Sequence, residues 1–337
     1  MSGLLDALPA AQQRLLSPAP SGGELATHPM MAVLSDRRVF DDTWVFERKL
    51  DGVRALTVRA PDGTRLLSRT GRAMNNSYPE LVEALATQSC EDFTVDGEIV
   101  AFSHGRTDFS RLQQRMQLTD PRKARASGVA VTYYLFDLLT LDGKDLRRLP
   151  LRTRKSLLRR ALHFAPPVRF TPHRNQGGQR ELDEACARGW EGLIAKRAEG
   201  SYLPRRSPDW LKLKCARAQE FVIGGFTEPA GSRVGFGALL IGYYADGELR
   251  YAGKVGTGYD QAALRRLREM LDALERRQSP FAGVVRERGV HWVEPRLVAQ
   301  VGFTEWTRDG MLRHPRFLGL LDDKGPADVV REEPAAG

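Results

Sequence analysis

Short runs in which apolar and polar residues alternate recur along the first 218 residues, and a period of two marks a strand with one face in a core. These runs predict strands at Trp44–Leu50, Arg54–Arg59, Thr94–Phe102, Val131–Leu139, Gly192–Arg197 and Trp210–Lys214. Between them, apolar positions at helical spacing predict helices near Pro79–Thr87, Asp108–Gln117, Leu151–Leu162 and Gln179–Arg188. Interleaved in this way, the elements imply an α+β domain with a mixed or antiparallel sheet. Beyond Ala218 come shorter strands with Gly-rich turns at Phe221–Thr227, Ala238–Ala245 and Glu248–Lys254. A helix at Asp260–Arg277 follows, with Leu264, Leu267, Leu271 and Leu274 on one side, and then the stretch Trp292–Thr307. About five strands with one interposed helix is the element order of an OB-type β-barrel. Residues 1–28, rich in Ala, Pro, Ser and Gly, read as a flexible leader. The expected organisation is therefore a leader at 1–28, an α+β domain at 29–218, a barrel at 219–331 and a tail at 332–337.

Charge adds a partner class. Lys and Arg number 51 against 42 Asp and Glu, and residues 1–218 carry 35 of the basic side chains against 25 acidic ones. All of the positive excess belongs to the first domain, which points to a polyanion, nucleic acid before membrane. No apolar run approaches the roughly 18 residues of a membrane span. No charged-then-apolar signal pattern opens the chain, so a cytoplasmic, nucleoid-associated location is expected. Cys90, Cys186 and Cys215 lie far apart without a CxxC pair, and the six histidines lack metal-ligand spacing; neither a disulfide framework nor a zinc ribbon is expected. The basic residues are 42 Arg and only nine Lys, so each Lys is a candidate for chemistry that an always-protonated guanidinium cannot do.

Several segments carry candidate chemistry. Alternation puts Val45, Glu47 and Lys49 on one strand face just before Asp51-Gly52. That pattern suits either an ion pair ahead of a hairpin turn or a reactive Lys beside acids. Lys212 and Lys214 share a face while their leucine neighbours enter the core. Two ammoniums about 6–7 Å apart on one strand repel unless an anion lies between them, which makes the pair a phosphate clamp. Asp96 and Glu98 share a face of an otherwise apolar strand, suited to a metal or to ribose hydroxyls. Phe136 is either a core residue or a stacking ring, and Glu191 is an acid at a strand entrance. Arg106, Arg111, Arg115, Arg122 and Lys123 gather along Ser103–Gly128 and read as a surface contacting a nucleic-acid backbone, or as a solvated helical face.

Taken in order, these segments resemble the motif set of the covalent nucleotidyltransferases, and the chain is similar to ATP-dependent DNA ligases. The nearest resemblance is to the ligase domain of bacterial non-homologous end-joining ligases. ERKLDGVR (47–54) resembles the first motif, with Lys49 at the nucleophile position; SRTG (68–71), VDGEIVAF (95–102), YYLFDLL (133–139), EGLIAKR (191–197) and WLKLK (210–214) follow in turn. The resemblance covers about 29–331. It implies that ATP and Mg²⁺ or Mn²⁺ are the cofactors and that Lys49 forms a phosphoramidate to AMP. Glu47 and Phe136 would then hold the adenine, Glu98 and Arg54 reach the ribose and phosphates, and Arg69 meet the 5′-phosphate end of the substrate. It further implies that Glu191, with Asp51 and Glu98, places the divalent cation. Arg206, Lys212 and Lys214 would neutralise the α-phosphate, and Lys324 the departing pyrophosphate. Nearby cations are expected to lower the pKa of Lys49 and so free its amine for attack. The implied partners are nicked or broken double-stranded DNA and Ku at DNA ends, with the chain acting as a monomer.

One position departs from the pattern. The sixth motif usually reads Arg-x-Asp-Lys, whereas here it reads Leu321-Asp322-Asp323-Lys324, with Arg316 the candidate substitute. A slower self-adenylation step is the expected consequence. The rival enzyme readings are an RNA ligase or a capping-type guanylyltransferase, which share the Lys-x-Asp-Gly core. A non-catalytic DNA-end-binding module is the rival from another class.

Overall fold

The structure is a computed structural model that describes residues 3–20, 28–215, 217–229, 234–307, 309–322 and 324–332. It divides between Cys215 and Ala216 into two units, close to the boundary expected after Ala218.

The first unit holds two sheets. One runs, in spatial order, through Ser17–Pro18, Lys144–Asp145, Val131–Leu141, Phe93–Ser103, Val53–Ala60 and Gly63–Ser68. The other runs through His173–Arg174, Trp44–Lys49, Gly192–Arg197, Arg206–Lys214 and Met31–Leu34. Most pairings are antiparallel, but Met31–Leu34 lies parallel to Arg206–Lys214 and Val168–Phe170 parallel to Val131–Leu141. The helix Gln179–Ala187 buries Leu182 and Ala185 against Trp44, Phe46, Leu193 and Leu213. The helix Leu151–Ala161 packs Leu151, Leu157 and Leu158 inward but also buries two cations, Arg154 and Lys155.

Two expectations are corrected here. Part of the leader is built into the domain: Ser17 and Pro18 pair with Asp145 and Lys144, because a sheet edge offers unpaired backbone groups to any nearby extended chain. Cys186 and Cys215 form a disulfide, with Cα atoms 5.3 Å apart. The helix ending at Ala187 packs beside the end of the strand that finishes at Lys214, and this brings together two cysteines 29 residues apart. Cys90 remains free and buried.

The second unit is the expected OB-type barrel. Its long strand Arg217–Thr227 pairs with Leu239–Ala245 near one end and with Val298–Phe303 near the other. Glu248–Val255 and Arg316–Leu321 extend the sheet on either side. The helix Gln261–Asp272 is capped by the Asp260 carboxylate, which accepts from Ala263 N at 2.7 Å, and it buries Leu264, Leu267 and Leu271. It is shorter than expected because Glu275–Arg276 leave the helix to pair with Trp292 and Val293. The stretch expected as Trp292–Thr307 is likewise divided into Val290–Val293, Val298–Phe303 and Glu305–Trp306. Among the described residues no helix is long and apolar enough to cross a membrane.

Candidate active site

Register organises the site. Across three neighbouring antiparallel strands, Lys49 lies opposite Gly192, and Gly192 opposite Lys214. In the next row Glu47 lies opposite Ile194, and Ile194 opposite Lys212. Residues paired across a sheet project to the same side, so the alternation read from sequence is extended laterally into a grid. Lys49 and Lys214 therefore flank a residue with no side chain. Gly192 has φ of +149°, and a Cβ there would meet the Leu213 carbonyl oxygen at 2.0 Å, so glycine is required. The turn after Lys49 is equally tight: a Cβ on Gly52 would meet the Ile99 carbonyl oxygen at 2.1 Å.

Lys49 Nζ lies 2.5 Å from Glu191, and both side chains are mostly buried. Burial pulls the Lys49 pKa down, but Glu191, then Asp51 and Glu98, outweigh it, and the net shift is upward. The expected lowering is thus overturned for the protein without nucleotide, since the acids act on this amine more strongly than the cations do. Asp51 is pushed up to about 7, first by burial and then by the charge of Glu191, against the pull of Lys49 and Lys214. Among the described residues no three His, Cys, Asp or Glu gather into a metal cage.

Beside Lys49, Glu47 is buried and bound by two ammoniums, Lys155 at 2.5 Å and Lys196 at 2.6 Å. Burial alone would raise its pKa, yet the two lysines hold it below the ordinary carboxylate value. Lys196 Nζ sits 4.1 Å from the ring centres of both Phe136 and Trp210, and its pKa is lowered by burial first and by Lys155, against Glu47. Phe136 is itself largely buried, with Arg54 4.7 Å from its ring. Lys155, Lys196, Tyr202 and Trp210 were not identified as site residues from sequence. Lys155 carried no signal beyond its membership of the set of nine lysines, whereas Lys196 also stood within the EGLIAKR motif.

Arg54 donates two hydrogen bonds to Asp96, at 2.5 and 2.6 Å, and a third to the Met30 carbonyl at 3.1 Å. Tyr202 donates to Asp96 as well, at 2.7 Å. Asp96 is wholly buried, so it is not the open metal or ribose ligand expected from its face of the strand. Glu98 is half-buried and lies opposite Arg54 in the register. Arg69 follows Ser68, whose hydroxyl accepts from Thr70 N and Arg72 N and so shapes the turn. Arg206 is exposed and donates to the Ala32 carbonyl. In the second unit Lys324 pairs with Glu220, while Asp323 lies outside the described residues.

The basic segment divides. Arg106, Arg122 and Lys123 are exposed, and Arg111 is half-buried beside Gly128. Arg115 is buried and donates to Ser77 O, Val129 O and both oxygens of Glu80. It is a structural cation, not a surface contact, because its place on the helix Phe109–Met116 faces the domain interior.

Comparison with known proteins identifies the family to which this chain belongs. The profile of the ATP dependent DNA ligase domain matches residues 29–214, and that of the ATP dependent DNA ligase C terminal region matches 232–324. The chain belongs to the ATP-dependent DNA ligase family. This ligase is 42% identical over 302 residues to the multifunctional non-homologous end joining protein LigD of Pseudomonas aeruginosa, covering 87% of this chain and 35% of that protein. It is 39% identical over 317 residues to the corresponding DNA repair protein LigD of Mycobacterium tuberculosis, covering 91% of this chain and 39% of that protein. It thus spans little more than a third of the length of these relatives. Among solved structures, mycobacterial DNA ligase D complexed with ATP and MES matches with a TM-score of 0.64 and 35% identity, over 91% of this chain and 98% of that one.

Proposed function

We propose that this ligase seals 5′-phosphate/3′-hydroxyl breaks in double-stranded DNA through an AMP carried on Lys49, in the setting of end joining with Ku at DNA ends. The observation that supports it most is the row Lys49–Gly192–Lys214, in which two lysines stand either side of a residue with no side chain. An α-phosphate placed there meets the nucleophile on one side and Lys214 and Lys212 on the other. Lys49 Nζ, once neutral, bonds to the α-phosphorus as the bond to the pyrophosphate oxygen breaks, and the amine's proton passes to water. AMP then moves to the DNA 5′-phosphate and is displaced by the neighbouring 3′-hydroxyl.

The donor set fits a hard divalent cation. Burial first, and then the charge of Glu191, raise the pKa of Asp51, so these carboxylates favour a bound cation, and Mg²⁺ needs only one or two carboxylates when phosphates complete its shell. Held by Asp51 and Glu191 with Glu98 nearby, such an ion would compete with Lys49 for Glu191 and neutralise phosphate charge. Glu47 and Phe136 serve as the base-holding pair, Arg69 contacts the 5′-phosphate strand, and Arg106, Arg111, Arg122 and Lys123 contact the DNA backbone.

The test is incubation with labelled ATP and Mg²⁺ or Mn²⁺, followed by a nicked duplex. Wild type should gain the mass of one AMP and seal the nick, and Lys49→Ala should do neither. An adduct that persists in Lys49→Ala would overturn the assignment. Binding of DNA ends with no adduct in wild type would favour the non-catalytic module.

A further inference from the structure

We infer that Lys155 is a positioning residue for the nucleotide base, fixing Glu47 and Phe136 together from behind. The inference rests on the adenylate pocket proposed above. An ammonium has three donors and no acceptor. On Lys155 all three are used: Glu47 Oε1 at 2.5 Å, the Thr171 carbonyl at 3.1 Å and the Phe136 carbonyl at 3.3 Å. Its side chain is 2% exposed. With its protons engaged and its head enclosed, Lys155 cannot touch a substrate directly. It can only act through the groups that it holds.

Those groups come from three separate pieces of chain. Glu47 lies on the strand Trp44–Lys49 of one sheet, and Phe136 on the strand Val131–Leu141 of the other. Thr171 directly follows Val168–Phe170. A single ammonium on the helix Leu151–Ala161 therefore sets the spacing between a buried carboxylate and a buried ring. Those are the two features a purine with an exocyclic amine requires, one as acceptor and one as stacking partner. Each carboxylate oxygen has two lone-pair sites, so Glu47 can hold Lys155 and Lys196 and still accept from a base. Lys196 holds the same carboxylate and also reaches across to the Phe136 and Trp210 rings, but through ring-face contacts rather than directed hydrogen bonds to backbone carbonyls.

The experiment compares wild type, Lys155→Met, Lys155→Arg, Glu47→Gln and the Lys155→Met/Glu47→Gln double variant in single-turnover formation of enzyme–AMP. ATP is compared with purine riboside triphosphate, which lacks the exocyclic amine. Lys155→Met should raise the half-saturating ATP concentration about tenfold, the size of one charge-assisted hydrogen bond, with the maximal rate within about threefold of wild type. Its loss with the amine-free nucleotide should be smaller, and in the Glu47→Gln background it should add little. Lys155→Arg keeps the buried charge, so the fold is retained even where Lys155→Met fails to fold. Because its wider head displaces Glu47, it should show the same rise in half-saturating ATP at smaller size. An equal loss for both nucleotides, a loss confined to the maximal rate, full additivity with Glu47→Gln, or an unchanged half-saturation in Lys155→Arg would each overturn the inference. Failure of wild type to form any adduct would instead overturn the underlying reading.

Discussion

Arg154 donates from Nε and Nη2 to the two oxygens of Asp137 at 2.8 and 2.9 Å, and neither side chain has any exposed surface. Its Nη1 donates to the Leu149 and Gly200 carbonyls. A fully buried pair of this kind stabilises only as a pair, since removing one partner strands the other charge in a medium that cannot solvate it. Arg154→Met should therefore cost about 3–5 kcal/mol in urea denaturation. Adding Asp137→Leu should recover much of that loss, and a double variant no more stable than the single would show that lost packing rather than stranded charge is responsible.

The basic segment offers an internal contrast. Arg122 and Lys123 are exposed, so each change to Ala should weaken DNA binding and lower the slope of log affinity against log salt by about one. Arg115→Ala should leave that slope unchanged while lowering the melting temperature, because its guanidinium closes the Glu80, Ser77 and Val129 network. Filter binding across a salt series, run beside thermal melts, separates the two behaviours.

Leu321 ends the strand Arg316–Leu321 opposite Val298 and packs, half-buried, against the core formed by Val222, Leu240 and Val298. Arg316 is exposed at the other end of the same strand. Leu321→Arg should accelerate enzyme–AMP formation from ATP while leaving the sealing of pre-adenylated nicks nearly unchanged. Rapid-quench measurement of the first step is the check, and an unaltered rate would show that the missing guanidinium does not limit this ligase.

His291 is bonded through both ring nitrogens, Nδ1 to Glu275 at 2.8 Å and Nε2 to Glu228, and stacks on Phe226. Its pKa is raised, with the bond to Glu275 the largest contribution, partly offset by burial. A raised folded-state pKa means that the imidazolium contributes stability fully below about 6.5, the value in the unfolded chain, and loses it as pH climbs through the folded value. The stability difference between wild type and His291→Ala should thus be largest near pH 5.5 and shrink toward pH 8.5. A difference that grows with pH in denaturant titrations would contradict this sign.

How far the sequence could be read depended on whether a feature was local. Glu47 with Lys49, and Lys212 with Lys214, were paired correctly because strand alternation is a property of neighbouring residues. The row that joins Lys49 to Lys214 through Gly192 was not visible, since the register of strands some 140 residues apart is set by packing. Buried cations escaped for a related reason. Arg115 lies on a helix that reads as DNA-facing or solvated, Arg154 and Lys155 show no burial signal in their own helix, and only carboxylate partners supplied by distant segments make their burial tolerable. The Cys186–Cys215 disulfide depended in the same way on a helix docking beside a strand end.

Gly192 makes the spacing of the proposed anion seat a matter of backbone rather than of side-chain reach. Neighbouring strands keep a spacing of about 4.8 Å, so the Lys49 and Lys214 backbones stand roughly two such intervals apart, a gauge that thermal motion of long side chains cannot blur. Residues around the proposed seat can be exchanged for others of similar size, but at the residue that sets its width any Cβ would collide with the Leu213 carbonyl.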